Sequence, residues 1–250
     1  MMKAFNFLLF IAFSFHVSAQ SVLKDSIMPA LMLEFNYGFL FPGGDLANRF
    51  GGCSAIGPAM KYKTKKNFVI GVEGSFLFGG NVKEDEILKN ITTESNNVIG
   101  IEGLFEDFTF SERGLYIRGE VGKIINFKKP NANSGIYVAL GTGFLQHKIR
   151  FDVDKGLVPQ LNKDYQKGYD RLSNGIAISQ FIGYRYFTEY KFLNFFAGIE
   201  MVQAFTKNRR SWNFDTFSQE TNLRKDLMFG FKAGLVVPIY FQQTDNYYYY

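Results

Sequence analysis

Residues able to do nucleophilic or metal chemistry are scarce in this chain, which holds two histidines, His16 and His147, and one cysteine, Cys53. A lipid hydrolase or acyltransferase of the kind found among small membrane barrels needs a histidine beside a serine and an acid. His147 is the one base that could serve, with Ser173 or Ser179 as its neighbours. No Gly-x-Ser-x-Gly elbow marks either serine as a nucleophile. The competing expectation is a histidine hydrogen-bonded at the rim of a barrel. A lone cysteine excludes an internal disulfide and a thiolate metal centre. Glu84, Asp85 and Glu86 lack the ligand spacing of a calcium loop and read as a solvated turn. The glycine-rich stretch Pro42–Gly52 (PGGDLANRFGG) follows no strand–helix unit, so it does not read as a phosphate cradle. No cofactor, metal or catalytic residue is expected.

The charged residues with a pattern are of another kind. Glu34, Glu73, Arg118, Glu120, Arg185, Glu200 and Lys232 each fall inside a stretch that alternates with large apolar residues. Around Lys232, the segment Leu227–Tyr240 sets Leu227, Phe229, Phe231, Ala233, Leu235, Val237 and Ile239 on one face. Met228, Gly230, Lys232, Gly234 and Val236 occupy the other. A period of two over this length is a β-strand and not a helix. It exceeds the ~9–11 residues a tilted strand needs to cross a bilayer.

The same period recurs along the chain. Strands are expected over Ala30–Phe41, Ala55–Lys63, Phe68–Gly79, Glu112–Asn126, Gly135–Ile149, Gly175–Phe187, Phe195–Thr206 and Leu227–Tyr240. The connections alternate, with tight turns at Thr64–Asn67, Lys128–Ser134 and Thr188–Asn194. Between them come a medium loop, Pro42–Gly52, and long excursions over Gly80–Asn97 with an ambiguous stretch to Phe110, Asp152–Asn174 and Lys207–Arg224. Eight strands joined in this way predict an all-β fold, an eight-stranded antiparallel up-and-down transmembrane barrel with short periplasmic turns and long extracellular loops. The strand over 175–187 admits two registers. One turns Gln180 and Tyr184 outward; the other turns Arg185 out.

With the apolar faces toward lipid, the seven charges named above line the lumen. An eight-stranded barrel is only wide enough for side chains to fill it. Four acids against three bases are then expected to pair, with Lys232 a partner for glutamates such as Glu34. The alternative is a narrow ion path lined by the same groups. Lys232, Gly234, Val237 and Ile239 also match the polar-x-Gly-x-x-apolar-x-apolar signal of closing barrel strands, which addresses a chain to the barrel-insertion machinery.

Composition agrees. Aromatics make up 18% of the 250 residues, with 29 Phe and 14 Tyr against one Trp, which suits strands and interface belts. The net charge of +5 is interspersed with acids, and no basic arm points to nucleic acid. No internal apolar run is long enough for a membrane-crossing helix. Residues 1–19 read as a signal peptide, with Lys3, an apolar core over Phe5–Phe15 and the small residues Val17-Ser18-Ala19 before Gln20. A lead (20–29), the barrel (30–241) and an aromatic tail (242–250) complete the expected layout.

Two loops mix the residue types enriched at interface hot spots. Tyr165, Tyr169 and Arg171 lie in one, and Arg209, Arg210 and Trp212 in the other. These six are candidates for contact with a partner in an outer-membrane complex. The same residues could bind lipopolysaccharide phosphates or brace one another over the barrel mouth.

The stretches PGGDLANRFG (42–51), LGTGFLQHKIRF (140–151), YQKGYDRLSNG (165–175) and NRRSWNFDT (208–216) resemble those of Bacteroidota outer-membrane β-barrel proteins. That resemblance implies an OmpA/OmpX-like barrel and an outer-membrane location, and brings no catalytic residue. The function expected is non-enzymatic: a structural or interaction component, such as an accessory subunit of an outer-membrane insertion or secretion assembly. A narrow channel is the alternative, with a lipid-modifying enzyme using His147 behind it.

Overall fold

A computed structural model describes residues 27–95, 97–127, 130–153, 158–188 and 194–241. The segment read as a signal peptide, most of the lead and the Tyr-rich tail lie outside the described residues.

Eight strands close into one antiparallel barrel. They are β1 (Ala30–Gly44), β2 (Cys53–Lys63), β3 (Phe68–Gly79), β4 (Thr109–Ile125), β5 (Gly135–Asp152), β6 (Ser173–Tyr186), β7 (Asn194–Asn208) and β8 (Leu223–Tyr240). Each pairs with its sequence neighbours, and β8 pairs with β1 from Ala30 opposite Tyr240 to Gly44 opposite Asp226. Closure leaves no strand edge unpaired, which removes the main liability of a sheet. Most strands run two to four residues further than their alternation predicts, chiefly toward the long-loop end. Pro42–Gly44, expected in a loop, completes β1 instead. Backbone pairing there continues where the side-chain pattern has stopped.

The barrel is inside out relative to a water-soluble protein. Phe35, Met60, Ile70, Ile117, Leu140, Ile182, Ile199 and Phe231, one from each strand, face outward and are 51–68% exposed. Charged residues on the opposite faces are buried. On β6, Gln180 and Tyr184 face out and Arg185 faces in, fully buried. The choice between registers is settled by Phe181, which shares the inward face with Arg185 and packs against Tyr137 and Phe196.

The turns at the end holding both barrel termini are short. The other end carries the loops over 45–52, 80–108, 153–172 and 209–222. Gly44 turns the first of these inward at φ +59, a conformation glycine adopts without penalty. A Cβ there would sit 2.4 Å from the Lys225 carbonyl oxygen. The 3₁₀ turn that follows, Asp45–Asn48, carries Leu46 into the mouth.

Gly234, on the inward face of β8, is where Asn36 and Phe196 fill the space. A Cβ at this position would lie 2.5 Å from Asn36 Oδ1 and 2.6 Å from a Phe196 ring carbon. Gly234→Val is therefore expected to destabilise the barrel by about 1–3 kcal/mol through overpacking. The check is the temperature at which the compact folded band converts to the slow unfolded band on electrophoresis. An unchanged conversion temperature would show that the seam accommodates the added methyls.

Candidate functional site

The lumen is occupied at successive levels. Toward the terminal end, Met32, Val69, Ile124, Tyr137, Phe181 and Phe196 belong to one buried apolar cluster. Beneath them Lys63 Nζ donates to the Met28 carbonyl oxygen at 2.7 Å and to Asn133 Oδ1 at 2.8 Å.

The middle level is ionic. Strand alternation brings Glu34, Lys61, Glu73, Arg118, Glu120, Arg185, Glu200 and Lys232 inward from seven different segments of wall, all 5% exposed or less. Lys61 Nζ lies 2.8 Å from Glu120 Oε1, 3.2 Å from Glu34 Oε2 and 3.6 Å from Glu73 Oε2. Arg118 Nη2 reaches Glu200 at 2.6 Å and Glu73 at 2.7 Å. Lys232 Nζ donates to both Glu73 oxygens, at 2.6 and 2.8 Å, and approaches Glu200 at 3.2 Å. Arg185 pairs with Glu34, and the Tyr137 hydroxyl donates to Glu120. The Arg185 guanidinium also stands 4.3 Å from the Tyr137 ring centroid and 5.0 Å from that of Phe196. Aromatic faces thus support the cation where carboxylates do not.

Two features differ from expectation. Lys232 pairs with Glu73 and Glu200, whereas Glu34 is taken by Arg185 and Lys61. Lys232 enters from β8 opposite Gly38, which places its ammonium further along the axis than Glu34. Sequence reasoning also missed Lys61, the cation that touches three of the four glutamates. The signal was available in Met60-Lys61-Tyr62-Lys63, where outward Met60 and Tyr62 flank an inward lysine. The smaller residues Ala55, Gly57 and Ala59, with Pro58, mask that alternation over the rest of β2. With Lys61 included, four carboxylates face four cations.

Toward the loops the lumen turns apolar again. Leu40, Leu46, Phe50, Leu77, Ile87 and Leu88 are among a buried cluster that fills the mouth. His147 lies here, 2% exposed, its Nε2 3.0 Å from Asp226 Oδ2 and its ring met edge-on by Phe50. Thr206 donates to the same Asp226 oxygen at 2.5 Å. Ser173 is the cross-strand partner of His147, yet its hydroxyl donates to the Arg171 carbonyl oxygen at 3.0 Å and accepts from Arg49. This is the arrangement of a packed rim histidine.

Above the plug the loops lock together. Arg49 donates to Glu84 at 2.9 Å and to Glu220 at 3.4 Å, and its Nη1 reaches the Arg171 carbonyl oxygen at 3.4 Å. Arg171 pairs with Asp215 at 2.5 Å, Arg210 with Asp170 at 2.5 Å, and Arg224 with Glu220 at 3.0 Å. Burial works to raise the Glu220 carboxyl. The Asn208 amide and the Arg49 and Arg224 charges outweigh it and hold the group below its ordinary value. Phe214 packs on Tyr169 and Tyr165. Of the six loop residues singled out from the sequence, Tyr169 and Arg171 are therefore buried in this roof and Arg210 is half-buried. Tyr165 and Trp212 stay about half exposed, and Arg209 is exposed. Among the described residues, no cluster of three or more His, Cys, Asp or Glu could hold a metal ion.

No family model and no curated protein matches the sequence. Among solved structures, neisserial surface protein A is similar at a TM-score of 0.43 and 11% identity, over 83% of this chain and 96% of that one. Ail, the attachment invasion locus protein of Yersinia pestis, is similar at 0.40 and 12%, over 84% and 98%. OprG, an outer-membrane protein of Pseudomonas aeruginosa, is similar at 0.37 and 9%, over 88% and 99%. The barrel is established by its own strand register, independently of these likenesses.

Removing Lys61 leaves Glu34, Glu73 and Glu120 short of a cation inside a sealed lumen. Lys61→Met is expected to cost about 3–5 kcal/mol of stability, as for other buried ion pairs broken on one side. Lys61→Met combined with Glu120→Gln should cost less than the sum of the two single changes. Urea unfolding of the full chain in detergent, followed by tryptophan and tyrosine fluorescence, measures both. Strict additivity would mean that the two groups do not interact.

Proposed function

We propose that the protein is an outer-membrane β-barrel, exported through a cleaved signal peptide, that neither conducts nor catalyses. Its role is to hold a rigid loop surface outside the membrane for a protein partner, as an accessory component of an outer-membrane assembly. The observation that carries this reading is the inverted polarity: large apolar side chains outward on all eight strands and paired charges within. Only a lipid surround makes that distribution favourable. The outward apolar run on β8, Leu227–Ile239, is long enough for a tilted strand to cross a ~30 Å hydrocarbon core. Aromatics bound it at the terminal end, where Tyr62 meets Phe241 and Tyr186 meets Phe195, as in the girdles of membrane barrels.

Lumen filling supports the non-conducting part. Two apolar clusters enclose the ionic level, so the charges serve one another and do not line a path. The buried rim position of His147 favours a structural histidine over a general base.

The loop surface supports the interaction part. Its roof is braced by ion pairs, so little ordering entropy is lost on docking. It presents Trp212, Phe217, Tyr165 and, on the small ladder of Val98–Ile99 with Phe105–Glu106, the exposed Ile99 and Phe105. Mild-detergent purification of the full chain from its own outer membrane, followed by mass spectrometry, is expected to recover a stoichiometric partner. Trp212→Ala with Phe105→Ala should release that partner without altering the folded electrophoretic band. Recovery of the barrel alone, in the native protein, would remove the assembly reading.

A further inference from the structure

Facing outward at the loop end of the β4–β5 hairpin is a group of cations without adequate counter-charge. Arg113 of β4 and Lys148 of β5 are direct cross-strand partners, and Arg150 follows two residues beyond Lys148 on the same face. Like charges set opposite each other across a ladder repel. Among the described residues, neither Arg113 nor Lys148 meets a carboxylate at ion-pair distance. Arg113 spends one donor on the Glu112 backbone carbonyl at 2.7 Å. Arg150 reaches Asp152 at 3.4 Å, but both side chains are more than half exposed, and such pairs are weak. Asp152 lies beyond Arg150, at the loop end of β5.

Directly below the cations the same face turns apolar, with Leu115, Ile117 and Phe144 exposed. It then opens into a hollow of about 670 Å³ on the outer wall. Gly119 and Thr142, another cross-strand pair, interrupt the large side chains here. Met60, Ile70, Val72, Val121 and Leu140 surround them. A Cβ built on Gly119 would meet nothing within 4 Å, so the gap is open to whatever surrounds the barrel.

The spacing of the two features matters. Gly119 is six residues from Arg113, and Thr142 six from Lys148. At ~3.4 Å per residue that is ~20 Å along the strand. With the ~45° tilt of a membrane strand it becomes a depth of ~14 Å, close to half of the ~30 Å hydrocarbon core. Cations at the headgroup level and a hollow at the depth where one leaflet's chains end suit a single anionic amphiphile.

We propose that the outer wall of β4–β5 is a binding site for one phosphate-bearing lipid of the outer leaflet. Its phosphate sits among Arg113, Lys148 and Arg150, and its acyl chain occupies the hollow at Gly119 and Thr142. This rests on the membrane reading above. The lipid anion offsets the Arg113–Lys148 repulsion, and the chain fills a gap that disordered solvent lipid would fill only transiently.

The test uses the full chain extracted in mild detergent from a bacterial outer membrane, with bound phospholipid and phosphorylated glycolipid counted by native mass spectrometry. Membrane sedimentation and the heat-shifted folded band are scored first. A chain that is not membrane-inserted sinks both this inference and the membrane reading. For an inserted, folded barrel, lipid retention is expected to fall about fivefold for Arg113→Gln and again for Lys148→Gln, as each removes one cation near the headgroups. Gly119→Leu projects into open space and spares the fold. It should lower retention roughly tenfold, as for about two methylenes excluded. Retention in all three variants equal to that of the unaltered chain overturns the site and leaves the membrane reading intact. So does displacement of the lipid by inorganic phosphate together with indifference to Gly119→Leu, because that combination describes a plain phosphate site and not a lipid one.

Discussion

Four carboxylates and four cations share the centre of a tube whose outer surface is apolar, and the rest of the structure depends on their pairing. An isolated charge in that position costs several kcal/mol in lost hydration. Each side chain therefore has to arrive in register with its partners, and register in a closed sheet is a collective property of all eight strands. Slipping one strand by a single residue would send its glutamate or lysine into the apolar exterior and its phenylalanines into the lumen. The ionic level thus specifies the barrel as much as it stabilises it. Lys61 is the clearest case, since it links glutamates from β1, β3 and β4.

A second consequence is closure toward the loops. With the centre neutralised, the mouth is left to apolar packing, and Leu46 and Phe50 descend from the first loop to complete it. The roof above repeats the logic of the centre in partly wet surroundings. Arg49, Arg171 and Arg210 each find an acid on another loop, and Arg224 pairs with Glu220 four residues before it. The first three join segments far apart in sequence, as does the contact of Arg49 with Glu220, so the loops form one surface. A fixed surface over a filled barrel suits recognition better than transport.

Much of this was legible from alternation alone. On β1, β3, β4, β5, β7 and β8 the outward face reads directly as large apolar residues at most of the alternate positions, and the structure places those faces outward. Period two fails where both faces mix apolar and polar residues. On β6, Gln180 and Tyr184 stand outward beside isoleucines while Phe181 packs inward beside Arg185. Hydropathy does not separate those two faces, and aromatic packing inside the lumen decides between them. On β2, small residues and Pro58 hid the register that carries Lys61. The roof was the least legible part. Its residue types suggested contact, but loops have no period, and nothing local distinguishes Arg171, buried against Asp215, from Arg209, which faces solvent.

The central claim is that the apolar exterior faces lipid. It is tested most directly by nitroxide labels placed singly at Phe229, Phe231, Ala233, Leu235 and Val237 of the full chain, in a Cys53→Ala background, reconstituted into bilayers. Accessibility to molecular oxygen should rise toward the middle of the series, and accessibility to a water-soluble nickel complex should fall, tracing one crossing of the hydrocarbon core. Uniform access of the nickel complex to all five positions would contradict the account.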